Sequence, residues 1–474
     1  MKPFLEKLKS KYFNKRQVSV KDRIEAKRMF GEIISITWPA FIELTMSTLF
    51  GMVDMIMVGH LNHAAIAAVG LTNQPFMFLL AIFAAVNVGT TTIVAWSIGA
   101  HNPGKASIVA KQSLIINTIL GVIISVAGVL LARPIILFMG AEADTIVDAT
   151  VYFQIVAAGL AFQTISMGIT AALRGAGETR IPMIYNIGSN LLNVFGNYVL
   201  IYGKLGFPRL GVAGAAISTS FSRLVACLLG IYVIYSGKAV ISVKHTGYKP
   251  DKEITKQIFS IGIPSALEQF VIQGALIMFA RAVSGLGTTV FAAHQIGLNI
   301  SGLSFSPSTA FQVASTALVG QSLGAGDEEK AHKYADMTNH MAILVSCVMG
   351  LVFILFSHQL ARLYTDEVHV TIMAGTVLKI LAFAQPGQST QLCLSGALRG
   401  AGDTMYPLYA CLFSMWIFRV GLSYLFVYTF NWGLNGAWFA LLIDQYIRAA
   451  IIYGRFRSGK WKNMKAAYEN KTFS

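Results

Sequence analysis

Charged residues are scarce in this chain. They make up 12% of its 474 residues, whereas hydrophobic residues make up 55%. About a quarter of the residues in an ordinary soluble domain are charged. The composition therefore excludes a soluble globular protein and indicates an integral membrane protein.

Cysteine is also rare, and signatures of catalysis are missing. The four cysteines lie in apolar runs without paired spacing, which is typical of small core residues rather than of a disulfide framework or a metal site: Cys227, Cys347, Cys393 and Cys411. The segment Gly99–Lys105 matches the first part of a phosphate-binding loop, but Ala106 stands where that loop needs Ser or Thr. No His-Glu-x-x-His sequence and no Cys/His ligand cluster occur. We therefore expect neither an enzyme, nor an ATP-driven pump, nor a cofactor.

The positive charge follows the pattern of a membrane protein. A net charge of +15 would suit a nucleic-acid partner, but the basic residues concentrate in 1–29, 237–256 and 455–474, at the ends of apolar runs. Cytoplasmic loops of membrane proteins carry such an excess of Lys and Arg. Residues 1–27 lack the apolar core of a signal peptide. We therefore predict cytoplasmic termini and no nucleic-acid partner.

Twelve apolar runs are long enough to cross a bilayer, and only helices of this length satisfy their own backbone groups in lipid. The runs lie at about 31–58, 64–97, 107–132, 146–173, 181–203, 211–236, 255–284, 289–322, 331–357, 368–397, 406–430 and 433–454. The predicted fold is all-α, with twelve transmembrane helices.

An internal repeat divides the chain into two halves. At an offset of 225 residues, Pro39–Glu43 falls on Pro264–Glu268, and Ala172–Thr179 falls on Ala397–Thr404. Six helices per half is an even number, so the halves enter the membrane from the same side and are related by an axis along its normal. The predicted organisation is a basic cytoplasmic arm (1–30), a six-helix bundle (31–236), a cytoplasmic linker (237–254), a second six-helix bundle (255–456) and a basic cytoplasmic tail (457–474).

Three acids stand out within the predicted spans. Glu43 and Asp54 lie on one face of the first helix, three turns apart, and Glu268 is the repeat partner of Glu43. Carboxylates are costly in a membrane and face a cavity or a partner. We predict that all three couple an ion or a proton and that Glu43 and Glu268 face a central cavity. The alternative is that they are satisfied polar groups within their bundles.

Amide side chains accompany these acids. Asn190, Asn193 and Asn197 lie on one helix face, which could hydrogen-bond to Asp54, and we assign Asn190 and Asn193 to ion coupling. The other predicted cavity residues are Asn73, Gln163, Gln273 and Gln388. Interhelical hydrogen bonding is the alternative role for each of them.

Five further charges are interpreted as structural. Asp444 and Arg448 are four residues apart and can pair on one helix face, and Arg419 could join them from the neighbouring helix. Arg174 and Arg399 precede Gly at the ends of their helices, where a cation interacts favourably with the last carbonyl groups. We predict that these two arginines cap helix ends.

The motifs resemble those of the multidrug and toxic compound extrusion (MATE) family. The resemblance rests on Val53-Asp54 in the first helix, on His294–Asn299, and on the Leu-Arg-Gly-Ala-Gly-(Glu/Asp)-Thr sequence that occurs in both halves. It implies a V-shaped pair of bundles around a central cavity. It also implies export of organic, often cationic or amphipathic compounds in exchange for H⁺ or Na⁺.

The resemblance gives Asp54 a role and sets limits on others. Asp54 matches the family's first-helix aspartate, which is proposed to bind the coupling ion, and Na⁺ is a candidate there; we predict no other metal site. NorM-type members carry acids in helices 7 and 10 where this chain has Ile272 and Gln388. We expect a monomer in the lipid bilayer of the plasma membrane, with drugs or toxic organic compounds as its partners. The alternative function is that of a flippase for lipid-linked saccharides, which would need several cationic residues in the cavity, whereas the cavity candidates here are acids and amides.

Overall fold

The computed structural model describes residues 20–61, 63–141, 145–244 and 251–472. Its regular secondary structure in those residues is helical throughout. The helices are α1 Val20–Gly59, α2 His63–Gly99, α3 Pro103–Leu130, α4 Ala132–Phe138, α5 Ile146–Ala158, α6 Leu160–Gly175, α7 Arg180–Tyr202, α8 Gly211–Ser236, α9 Lys252–Ser284, α10 Thr288–Gly324, α11 Glu328–Arg362, α12 Val368–Gly400, α13 Met405–Phe413, α14 Leu422–Tyr424, α15 Gly433–Arg457 and α16 Met464–Thr472. Two π-helical segments, Ser414–Gly421 and Leu425–Thr429, join α13 and α14 into one continuous rod.

Each of the twelve apolar runs coincides with a helix or with a pair of consecutive helices. Among the described residues, eight helices are long and apolar enough to cross a membrane, and the pair α5 and α6, bent by 43°, makes a ninth span. Three more helices, α7, α10 and α15, have the necessary length but carry more polar residues. The protein is thus an all-helical, multi-pass membrane protein.

The same hydrogen bonds recur in the two halves of the chain. Thr179 Oγ1 donates to the Ile36 carbonyl at 2.9 Å, and Thr404 Oγ1 donates to the Ile261 carbonyl at 2.7 Å. Each of the second pair lies 225 residues beyond its counterpart. A second matched pair runs from Thr91 Oγ1 to the Ala171 carbonyl and from Thr316 Oγ1 to the Gly396 carbonyl, both at 2.9 Å. The sequence repeat is therefore a repeat of tertiary contacts.

The first helix of each half packs against the opposite half near its N-terminus. Ile33 and Ile36 of α1 belong to a buried cluster otherwise built from the second half, and Ile258 and Ile261 of α9 belong to a cluster otherwise built mainly from the first half. These two clusters lie at the end of the molecule that carries the described termini. Two further clusters, one within each half, lie nearer the other end. The halves are therefore interlocked at the terminal end, and this arrangement positions the cavity described below.

The linker and the tail are packed against the bundles. Ile241 and Val243 of the predicted linker are fully buried, as is Trp461 of the predicted tail, which precedes α16. Residues 20–30 of the predicted arm continue into α1. Residues 1–19, 245–250 and 473–474 lie outside the described part of the chain.

Candidate functional site

Helices α2 and α10 touch backbone to backbone at the terminal end of the molecule. A Cβ atom on Gly99 would lie 1.8 Å from the Gln321 carbonyl oxygen, and one on Gly324 would lie 2.2 Å from the Trp96 carbonyl oxygen. Only glycine permits such an approach. The two contacts are repeat partners, so this closure has the same symmetry as the chain.

Two reciprocal hydrogen bonds join the halves at the same level. Trp96 Nε1 of the first half donates to the Gly400 carbonyl at 2.8 Å, and Gln321 Nε2 of the second half donates to the Gly175 carbonyl at 3.0 Å. We call these four residues, together with Gly99 and Gly324, the seal. It blocks passage between the halves on the side of the termini.

A cavity of about 770 Å³ lies on the other side of the seal. This volume is within the range of drug-binding pockets, roughly 300–1,000 Å³. The first half supplies most of its walls, through α1, α2, α6, α7 and α8. The second half contributes Thr309, Gln312, Val313, Thr316 and Arg399.

Asp54 lies in the cavity wall and is held by neutral groups. Asn197 Nδ2 donates to one Asp54 oxygen at 2.7 Å. The hydrogen-bond network orients the Asn193 amide so that its nitrogen donates to the two Asp54 oxygens at 2.8 and 2.9 Å, while its oxygen accepts from Thr219. Asn190 donates to Ser47 Oγ at 3.3 Å instead. The asparagine face of α7 therefore meets α1, with two of its members on Asp54.

The other two acids form ion pairs with arginines. Glu43 lies 2.9 Å from Arg174 Nη2 and accepts from Asn186 Nδ2 at 2.6 Å, and Glu268 lies 2.7 Å from Arg399 Nη2. Arg174 and Arg399 thus bind carboxylates across the bundle, which corrects the prediction that they cap helix ends. Both pairs join residues of equivalent rank in the repeat.

The predicted cavity residues are distributed unevenly. Glu43 and Gln163 line the cavity, but Glu268, Asn73, Gln273 and Gln388 are not among the described residues that do so. Glu268 is buried behind Arg399, and Gln388 is fully buried inside the second half. The first half of the chain therefore carries most of the polar cavity surface.

The charges of the second half form a separate buried cluster. Arg419 Nη2 and Arg448 Nη2 each lie 2.6 Å from the same Asp444 oxygen, and Ser414 donates to the other. The structure thus brings together the three residues that the spacing pairs. The cluster is not among the groups lining the cavity.

Arg223 was missed in the sequence, although its signal was visible. It is the one charged residue of α8, a helix otherwise apolar enough to cross a membrane. It lines the cavity on the same wall as Asp54. With Arg174 and Arg399 it brings the arginines of the cavity to three, which corrects the expectation that the cavity's polar groups are acids and amides.

A classical metal centre is not apparent. Within the residues that the structure describes, no three His, Cys, Asp or Glu side chains lie close enough to hold a metal ion. A Na⁺ ion at Asp54 would need amide, hydroxyl or carbonyl oxygens as its other ligands. Asn197 Oδ1 is a buried oxygen without a hydrogen-bond donor, and it belongs to a residue that contacts Asp54.

An all-helical membrane protein with a sealed end and a polar, drug-sized cavity has the features of a membrane transporter. The MatE family model matches residues 39–199 and again residues 264–425, once in each half. The chain belongs to the MatE family of transporters, and it is not an enzyme.

Relatives cover almost the whole chain. A probable multidrug resistance protein NorM of Thermotoga maritima is 32% identical over 91% of this chain and 93% of its own length. An uncharacterised transporter, YisQ of Bacillus subtilis, is 30% identical over 90% of this chain and 94% of its own. The solved outward-facing conformation of a multidrug resistance MATE family transporter superposes with a TM-score of 0.86 at 26% identity, over 92% of this chain and 96% of that one.

Proposed function

We propose that this protein is a secondary active multidrug exporter. It moves organic compounds, often cationic or amphipathic, out of the cell in exchange for H⁺ or Na⁺ by alternating access. The cavity volume and the multidrug resistance names of its relatives support this proposal.

The proposed architecture has twelve transmembrane helices in two pseudo-symmetric six-helix bundles. The matched hydrogen bonds of the two halves support the symmetry. The basic residues near the termini favour a cytoplasmic location for both of them, and hence for the seal. The structure then corresponds to an outward-facing state of a monomer in the plasma membrane, in contact with lipid.

Asp54 is the proposed coupling site, and its set of partners is the observation that carries the proposal. Among the described carboxylates of the cavity, Glu43 is neutralised by Arg174, whereas Asp54 is held by amide groups. A carboxylate without a bound cation of the protein is costly at this depth, so its charge favours capture of H⁺ or Na⁺. Capture and release of that ion on opposite sides of the membrane would drive the cargo outward.

Efflux from proteoliposomes tests this function. A fluorescent organic cation is loaded, and a pH gradient or a Na⁺ gradient is imposed in separate experiments. We expect one of the two gradients to drive transport by the wild-type protein and D54N to abolish it. The exposed Asp148 of α5 provides the control D148N, which should transport like the wild type.

Full gradient-driven transport by D54N would remove Asp54 from the mechanism. Transport by the wild-type protein that responds to neither gradient would overturn the antiport. The flippase alternative gains little from the three cavity arginines, because two of them are already neutralised by Glu43 and Glu268.

A further inference from the structure

Arg223 differs from the other buried arginines in its partners. Arg174, Arg399, Arg419 and Arg448 each lie within 3 Å of a carboxylate oxygen. The described part of the chain gives Arg223 no carboxylate within 4 Å. Its hydrogen bond is a long one, from Nη1 to the Val156 carbonyl at 3.5 Å.

The position of Arg223 makes this lack of a close counter-ion costly. It lies in the middle of α8, among residues 211–236, and faces the cavity. A guanidinium presents five N–H donors in a fixed fork that matches a carboxylate or a phosphate. A charged side chain at such depth marks a ligand pathway more often than a structural contact.

Asp54 and Arg223 present opposite charges on one wall without touching each other. They interact electrostatically across the cavity wall. Asn193 contacts Asp54 on one side and Thr219 on the other, and Thr219 lies one helical turn before Arg223 on α8. The wall therefore offers an acceptor for a cation and, beyond one amide and one hydroxyl, a donor set for an anion.

We propose that Arg223 is an anion subsite of the central cavity, which binds the carboxylate of an organic cargo while Asp54 is left to the coupling ion or to a cationic group. This inference rests on the proposed export function. It extends the substrate class from cations to zwitterions that carry a carboxylate. The ordinary cost of desolvating a carboxylate is offset here, because Arg223 is already desolvated and lacks a close counter-ion.

A matched pair of dyes tests the subsite directly. Tetramethylrhodamine carries a cationic ring system and a free carboxylate, whereas its methyl ester carries the same cation without the anion. Binding of each dye to the purified full-length protein in detergent is measured by fluorescence anisotropy. This measurement needs no ion gradient, so its result is independent of the efflux test of the proposed function.

R223M should weaken binding of the carboxylate dye by about tenfold or more, which is the usual scale for a hydrogen bond to a charged group. The same variant should leave binding of the ester dye unchanged, which also shows that the variant is folded. R223K retains the charge and should give an intermediate loss. The exposed Arg281 of α9 provides the control R281M, which should bind both dyes like the wild type.

Three results would overturn the subsite. The first is unchanged binding of the carboxylate dye by R223M. The second is an equal loss of both dyes, which would make Arg223 a structural residue or a partner of Asp54. The third is a wild-type protein that binds the ester but not the carboxylate dye.

Discussion

Trp96 and Gln321 hold equivalent positions in the two halves, and each donates a side-chain hydrogen bond to a backbone carbonyl of the other half. The acceptors, Gly400 and Gly175, are themselves repeat partners and end the Leu-Arg-Gly sequence of each half. The repeated motif thus supplies the surface on which the halves close, in addition to its arginine. Opening towards the termini has to break both bonds together.

Loss of the Trp96 hydrogen bond should favour the opposite conformation. W96F keeps most of the ring and removes the donor, which is worth about 1 kcal/mol, or roughly a fivefold change in the ratio of states. We expect a cysteine at Thr91, a cavity residue on the inner side, to react faster with a membrane-impermeant maleimide added from the terminal side. The measurement uses a C347S background, because Cys347 is exposed. An unchanged rate of labelling would show that the bond does not hold the seal closed.

The close approach of α2 and α10 should not tolerate a methyl group. G99A places a carbon 1.8 Å from a backbone oxygen and should lower stability by about 1–3 kcal/mol, since the two helices have to move apart. The measurement is the thermal unfolding temperature of the purified protein. Gly454 of α15 has open space around it, so G454A is expected to be neutral or slightly stabilising. Equal effects of the two substitutions would contradict a backbone contact at Gly99.

The pair Glu43 and Arg174 should behave as a structural unit. E43Q leaves a buried guanidinium without its partner and should destabilise the protein by about 3–5 kcal/mol. The double variant E43Q/R174M removes both charges, and we expect it to recover most of that stability and to retain ion-driven efflux. Stability is measured by thermal unfolding of all members of the double-mutant cycle. Additive losses without recovery would show that the two residues are not coupled, and loss of efflux in a stable double variant would return Glu43 to the transport mechanism.

The two asparagines at the ends of the α7 face should differ in their effect on transport. Asn197 donates to Asp54 at 2.7 Å, whereas Asn190 donates to Ser47. N197L should slow ion-driven efflux about tenfold, because a hydrogen bond to a charged group contributes about 1.5–3 kcal/mol and holds Asp54 in place. N190L should remain close to the wild type in the same proteoliposome assay. A reversed order of the two effects would contradict the assignment of Asp54 as the ion site.

The sequence predicts the positions of the helices better than the roles of the charges. The apolar runs and the 225-residue repeat both reappear as structure, because hydropathy and turn signals are local properties. The asparagine face of α7 was also readable, since its spacing follows the helix period. Arg223 could have been found as a lone charge in an apolar run. What it lacks as a partner could not, because that depends on residues far away in the chain.

The sequence by itself determined that this protein is a helical membrane protein of two related halves, and its motifs pointed to one transporter family. Only the tertiary structure decided which acids are neutralised: Glu268 and Arg399 meet from 131 residues apart, and Asp54 meets amides rather than a guanidinium. It also decided that the halves close through Trp96 and Gln321. The physical reason is that the charge state and contacts of a buried group are set by its neighbours in space, and in a bundle most of those neighbours come from other helices.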